Sequence, residues 1–373
     1  MGLTVLKNGL VYTSEGEFKA LELSFESGTI TGLSQEPLSG DEVIDCSGCY
    51  IVPGLTDIHL HGCRGHELSG SYDDLREICE FELENGVTTI LPATMTLPDD
   101  RLKAVLSASA DYAMNSPVSG AIVAGINLEG PFISPEKCGA QDKRFAAAPS
   151  AEKLLCYQDA AKGMIKLVTV APELEGAVDM ISRCSDSFHF SLGHTCSSYD
   201  IAAEAFAAGA DHVTHLFNAM PPFHHRDTGV IGAAFDSEHC YAELICDGVH
   251  VSPSAVRSAF ALFGERLVLI SDSMEAAGMP DGEYTLGGQR VLKNGARATL
   301  PDGTLAGSVS TLYDCLKTAV GMGIPLESAV RAATLSPCRS VGIDDIYGSL
   351  EIGKAAHILV LSRDDLSIKR VIS

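Results

Sequence analysis

Eight short apolar runs, most of them separated from the next by a helix-length segment, occupy the middle of this 373-residue chain. The runs are IVPGLTDIHLH, VTTILPAT, AIVAGINLEG, IKLVTVAPE, FHFSLGH, DHVTHLF, AELICDG and LVLISDS; segments such as SYDDLREICEFELENG, DDRLKAVLSASADYAMN and SYDIAAEAFAAGA lie between them. Strands that all run the same way need a crossover after each one, and a helix is the usual crossover. Eight such units predict an α/β fold closed into a (β/α)8 TIM-type barrel. An open doubly wound sheet has the same local pattern, but its usual G-x-G-x-x-G turn after the first strand is absent.

The two ends read differently. LTVLKNGLVYT, ALELSFESGTITGLS and EVIDCSGCYIVPG at the start, and GSLEIGKAAHILVLSRDDLSIKRVIS at the finish, alternate apolar and polar positions around Gly and Asp turns. They predict a small β-sandwich domain built from both termini, residues 1–50 and 345–373, enclosing a barrel over 51–344. Residues 279–305 are hairpin-like and read as an insertion before the last barrel helix.

The formal charge of −23 argues against a general binder of nucleic acid or of anionic membranes, which brings a basic surface. No apolar stretch approaches the roughly 20 residues that a membrane span needs. The opening MGLTVLKNGL lacks a charged segment followed by a long apolar run, and the twelve cysteines are scattered through the predicted core. Free thiols in a reducing cytoplasm are the expectation. Cys46 and Cys49 form a lone Cys-x-x-Cys ahead of a strand, with no second pair to complete a zinc knuckle.

His59, His61, Glu129, His194 and His215 each lie at or just past the C-terminal end of a predicted strand. Strand side chains repeat every second residue, so His59 and His61 leave the first strand on one face and can converge on one ion. In a barrel the chemistry gathers at the C-terminal strand ends. These five residues are therefore the predicted metal ligands. Nitrogen and carboxylate donors suit zinc, with iron, cobalt or manganese as other divalent choices, in one or two ions per subunit. A catalytic ion of this kind keeps a position open and activates water against a carbonyl or phosphoryl centre.

Asp272, at the end of the eighth strand, is the predicted acid/base, since a carboxylate beside activated water can take its proton and pass it to a leaving amine. The loop HLFNAMPPFHHRDTGV supplies Asn218 for hydrogen bonding and Arg226, whose planar fork suits a phosphate or carboxylate. His250, after the seventh strand, adds a donor. His189 and His212 are assigned to packing, and His212 has the wrong strand parity to join His215.

PGLTDIHLHG, NLEGPF, THLFNAMPP, DGVHV, SDSMEAAG and LAGS, in this order through nearly the whole chain, resemble the amidohydrolase superfamily and, within it, the N-acetylglucosamine-6-phosphate deacetylases. The resemblance implies hydrolysis of N-acetylglucosamine 6-phosphate to glucosamine 6-phosphate and acetate, a small phosphorylated substrate and a homodimer. It makes Glu129, His194 and His215 the principal ligands, adds a second ion through His59 and His61, and gives Asp272 the acid/base role. Ala140, Gln141, Asn218, Ala219, Arg226, His250 and the stretch Ala306, Gly307, Ser308 match substrate-binding positions. Gln141 stands where some members carry a histidine; an amide cannot carry a proton, so positioning is its implied role. Alternatives are a related amidohydrolase acting on N-acetylgalactosamine 6-phosphate or an N-acyl amino acid, a phosphoesterase at the same metal site, and a barrel that has lost its chemistry.

Overall fold

A computed structural model describes residues 2–68, 71–115 and 119–373. Eight barrel positions are filled in chain order by β1 (Leu55–Leu60), β2 (Val87–Pro92), β3 (Ile126–Leu128), β4 (Ile165–Val170), β5 (His189–Leu192), β6 (His212–Val213), β7 (Tyr241–Ile245) and β8 (Leu267–Ile270). A two-residue piece, Ile122–Val123, precedes β3 and pairs with β2. The ladders between β1 and β2, and from β3 through β8, are all parallel. Two seams close the ring. Ala93 bridges to Asn127 between β2 and β3. Between β8 and β1, Asp272 N–H donates to the His59 carbonyl at 2.9 Å and His61 N–H to the Ser273 carbonyl at 2.8 Å. The sheet therefore returns to its own first strand, as a barrel does and an open sheet does not.

These strands are covered on both faces, as parallel barrel strands are: every residue of β1 and β2 is buried, the polar Thr56, Asp57 and His59 included. Helices α1 (Tyr72–Glu84), α2 (Asp99–Asn115), α3 (Ala151–Ala160), α4 (Ala177–Cys184), α5 (Tyr199–Ala207), α6 (Gly229–Asp236), α7 (Pro253–Phe263) and α8 (Leu312–Gly321) follow the strands of the same number. Their starts are written in the sequence. Ser71 with Asp74, and Thr311 with Asp314, form capping boxes, and Pro253 opens α7 where its missing N–H costs nothing. Among the described residues no helix is long and apolar enough to cross a membrane.

Both termini build the small domain. One sheet orders strands Thr29–Ser34, Glu22–Glu26, Thr4–Lys7 and Glu42–Asp45; the other orders Ile368–Ile372, Ile358–Ser362, Cys49–Pro53, Leu10–Tyr12 and Phe18–Ala20. Leu6, Leu23 and Ile30 from the first meet Val11, Ile51, Ile358 and Val360 from the second in one buried cluster. The alternate residues Tyr12, Val52, Leu359 and Leu361 belong to the barrel's own cluster. The second sheet thus serves two cores, one per face. The single run read as IVPGLTDIHLH divides here: Cys49–Pro53 belongs to the small domain and Leu55–Leu60 to the barrel. Gly54 is the joint, and a Cβ there would come within 2.2 Å of Thr88 Oγ1. Residues Gly282–Leu286, Gln289–Asn294 and Arg297–Thr299 form the inserted three-stranded antiparallel sheet.

Candidate metal centre and active site

His59 and His61 point from the end of β1 into the barrel mouth, and Glu129 directly follows β3. His194, His215 and Asp272 each lie two residues past their strand ends, and each takes a positive φ (47°, 29° and 49°). Left-handed backbone at a non-glycine residue costs of order 1–3 kcal/mol and gathers at functional sites. Here the same kink, three times over, turns a side chain off its strand and into one space.

In that space Glu129 is central. Its Oε1 lies 3.1 Å from His194 Nε2, 3.3 Å from His215 Nε2 and 3.3 Å from His59 Nε2; its Oε2 lies 3.3 Å from His61 Nε2. Asp272 Oδ1 is 3.3 Å from His61 Nε2 and 3.8 Å from His59 Nε2. Two ligand triads result, His59–His61–Glu129 and Glu129–His194–His215, both buried. Ligands about 2.0–2.2 Å from a tetrahedral ion stand roughly 3.3 Å from one another, so this spacing fits a divalent cation.

The outer hydrogen bonds agree. His59 Nδ1 donates to Glu243 Oε2 (2.8 Å), His61 Nδ1 to the Ala93 carbonyl (3.1 Å) and His194 Nδ1 to the Lys137 carbonyl (2.8 Å). With Nδ1 committed as donor, each Nε2 presents a lone pair to the centre, which is the ligating tautomer. His59 Nε2 is buried and has no hydrogen-bond partner, as a ligand atom would be. Without an ion the carboxylates draw protons instead. Burial opposes a charge on His61, but the Asp272 and Glu129 carboxylates outweigh it and raise its pKa to about 9. Burial opposes charge on Glu129 as well, and the surrounding His59 and His194 hold it well below the usual carboxylate range. A site that recruits positive charge so strongly is suited to exchange protons for a cation.

Above the centre opens a cavity of about 510 Å³, in the range of small-molecule sites. His61, Glu129, His194, His215, Asp272, Ala140, Gln141, Asn218, Ala219, His250 and Gly307 line it. Gln141 is buried; its Oε1 accepts from Thr96 N–H at 2.6 Å and its Nε2 donates to Glu129 Oε2. It is therefore held against the central carboxylate. Asn218 Nδ2 donates to the His215 and Leu216 carbonyls (3.3 and 3.2 Å), and His250 Nδ1 to Asp247 Oδ2 (2.7 Å). Ala306 and Ser308 are buried beside the cavity rather than on its wall. Ser308 N–H holds the Asp272 carbonyl at 2.7 Å. Gly307 (φ 63°) leaves only 3.1 Å between a would-be Cβ and that same carbonyl. Arg226 is not on the cavity wall. It sits on an exposed loop, its guanidinium 2.8 Å from His225 Nε2.

Two residues escaped the sequence reading. Glu243 lies in the middle of β7, where alternation reads a lone carboxylate as solvent-facing; the only signal was its place between apolar neighbours in YAELI. Lys137, in PEKCGAQD, lines the cavity and supplies the carbonyl that orients His194.

A (β/α)8 barrel with a histidine–carboxylate centre at the C-terminal mouth and a small β-sandwich from both termini defines a class of metal-dependent hydrolases. The sequence profile of the amidohydrolase family matches residues 50–373, and the chain belongs to that family. It is 36% identical to the N-acetylglucosamine-6-phosphate deacetylase of Bacillus subtilis (strain 168), over 96% of this chain and 90% of the relative. It is 32% identical to the N-acetylgalactosamine-6-phosphate deacetylase of Escherichia coli O157:H7, over 96% and 94%. Among solved structures, it is similar to a mutant N-acetyl-D-glucosamine-6-phosphate deacetylase of Mycobacterium smegmatis in complex with N-acetyl-D-glucosamine-6-phosphate. The TM-score is 0.91 at 31% identity, covering 99% of this chain and 97% of that one.

Proposed function

We propose that this chain hydrolyses the acetamide of N-acetylglucosamine 6-phosphate, releasing acetate and glucosamine 6-phosphate. The observation that carries the reading is the placement of Asp272 Oδ1, 3.3 Å from His61 Nε2, on the rim of a five-ligand centre at the base of the cavity. When bound, a divalent ion supplies a nucleophile at neutral pH and polarises the acyl carbonyl. Asp272 Oδ1 takes the proton of the attacking water and returns it to the departing nitrogen. The Ser308 and His59 backbone contacts keep that carboxylate in place. Gln141, its amide spent on Thr96 and Glu129, positions the central ligand and moves no proton. Asn218, Ala219 and His250 line the cavity where the sugar would bind, and Lys137 is a cationic residue of the same lining, suited to an anionic group.

The finer points follow from the same features. Zinc in two ions suits four imidazoles and a shared carboxylate. A cytoplasmic setting is supported by twelve cysteines that are all free. A homodimer is supported by the Arg226 loop, which stands off the cavity of its own subunit with Phe223 52% exposed beside it. In such a dimer Arg226 meets the phosphate in the partner's site.

Acetate release is the test, measured on N-acetylglucosamine 6-phosphate, its galacto epimer and the unphosphorylated sugar, before and after chelation and zinc restoration. The expected result is metal-restored release that is fastest on N-acetylglucosamine 6-phosphate. Faster release from the galacto epimer would reassign the substrate, and inorganic phosphate in place of acetate would overturn the deacetylase reading.

A further inference from the structure

We infer that Glu243 is a positioning residue that makes the two halves of the metal centre unequal, anchoring the ion held by His59 and His61. The inference rests on the reading of this site as a divalent-metal centre and adds to it a difference between its halves.

Glu243 is fully buried inside the barrel. Its Oε2 accepts from His59 Nδ1 at 2.8 Å and from the His215 backbone N–H at 3.3 Å, while its Oε1 is buried without a hydrogen-bond partner. A buried carboxylate is costly unless its partners compensate. The fold carries that cost here for one imidazole. His61 and His194 give their Nδ1 protons to neutral carbonyls, those of Ala93 and Lys137, and His215 Nδ1 is buried with no partner. His59 alone of the four donates to a carboxylate. A hydrogen bond with a charged acceptor is roughly twice as strong as a neutral one, and it makes the opposite ring nitrogen a better donor to a metal. The same carboxylate stands behind His59, whose Nε2 faces Glu129 at 3.3 Å and Asp272 at 3.8 Å. The contact with His215 is to its backbone, so it sets the position of that residue and not the basicity of its ring.

The test is metal uptake, measured as stoichiometry after dialysis and as zinc affinity against a competing chelator, with no substrate present. The wild type, Glu243→Gln and Glu243→Ala are compared, with a His59→Asn/His61→Asn double variant defining the behaviour of the His194–His215 half alone. Gln keeps one oxygen to accept from both donors and removes the charge, its NH2 taking the place of the partnerless Oε1, so it stays informative if Ala fails to fold. The expected result is a 10–100-fold weaker hold on one of two ions in Glu243→Gln, with the other half within about threefold of the double variant. Equal weakening of both ions, or no change in either, would overturn the inference while leaving the metal centre standing. A wild type that takes up no ion overturns it together with the hydrolase reading. Normal two-ion uptake without acetate release counts against the substrate alone.

Discussion

At the top of β5 and β6, His194 and His215 face Glu129; at the bottom of the same two strands, His189 and His212 face Asp211. The residue types match, yet neither the burial nor the spacing does: Glu129 is buried, while Asp211 and His189 are half-buried. At the top, nitrogen-to-oxygen distances are 3.1 and 3.3 Å. At the bottom, His189 Nδ1 is 2.6 Å from Asp211 Oδ2 and His212 Nδ1 is 2.7 Å from Asp211 Oδ1. The shorter pair leaves room for a proton on the line between the atoms and the longer pair leaves room for an ion beside it. The top also has what a ligand set needs around it: His194 Nδ1 is engaged outward by the Lys137 carbonyl, and a cavity opens above. At the bottom the Nδ1 atoms are spent on the carboxylate itself, and His212 stacks on Tyr241 at 5.6 Å. One pair of strands thus carries a reactive end and a fastened end, as barrels divide stability from chemistry.

Substitution is the strongest way to break this contrast. His194→Ala should lower kcat/KM by about a thousandfold or more, by removing several kcal/mol of metal assistance, and should reduce metal content. His189→Ala should leave both unchanged. Similar losses of metal from the two variants would abolish the distinction. Next in size, Asp272→Asn should cut kcat by about 10²–10⁴-fold with metal content preserved. Loss of metal in that variant would make Asp272 a ligand first and a proton carrier second.

The smallest effect concerns pH. Burial opposes the charge on Asp211, but His212 and His189 outweigh it and hold its carboxyl below the usual range. A carboxyl depressed in the folded state stabilises the fold above its unfolded pKa, about 3.9, and that contribution is lost as the pH falls below it. Asp211→Asn should therefore lower stability at neutral pH by about 1–3 kcal/mol and flatten the acid side of the stability profile, read by denaturant unfolding between pH 3 and 7. An unchanged acid limb would assign the acid sensitivity to other carboxylates.

Much of this is legible in the amino-acid sequence. The eight apolar runs survive as eight barrel positions because parallel strands are buried on both faces and cannot hide their composition. The clustering of side chains at the strand ends was readable from parity: two-residue spacing brought His59 and His61 together against Glu129 and kept His212 away from His215. Continuity of hydrophobicity was misleading at Gly54, where one run serves two domains and only the close approach of Thr88 marks the joint. Parity also failed at Glu243, because a polar residue in a strand reads as outward unless its partner His59, 184 positions away, is known. The Arg226 loop shows the converse limit. Its residue types suit an anion, but its placement off the cavity wall is set by tertiary structure that local sequence does not encode.

The most direct test of the central claim is to locate the ions themselves, by anomalous diffraction at the zinc edge from crystals of the zinc-loaded protein. The account predicts peaks within the His59–His61–Glu129 and Glu129–His194–His215 triads and none beside Asp211. A peak between His189 and His212, or an empty barrel mouth in crystals whose protein retains activity, would contradict it.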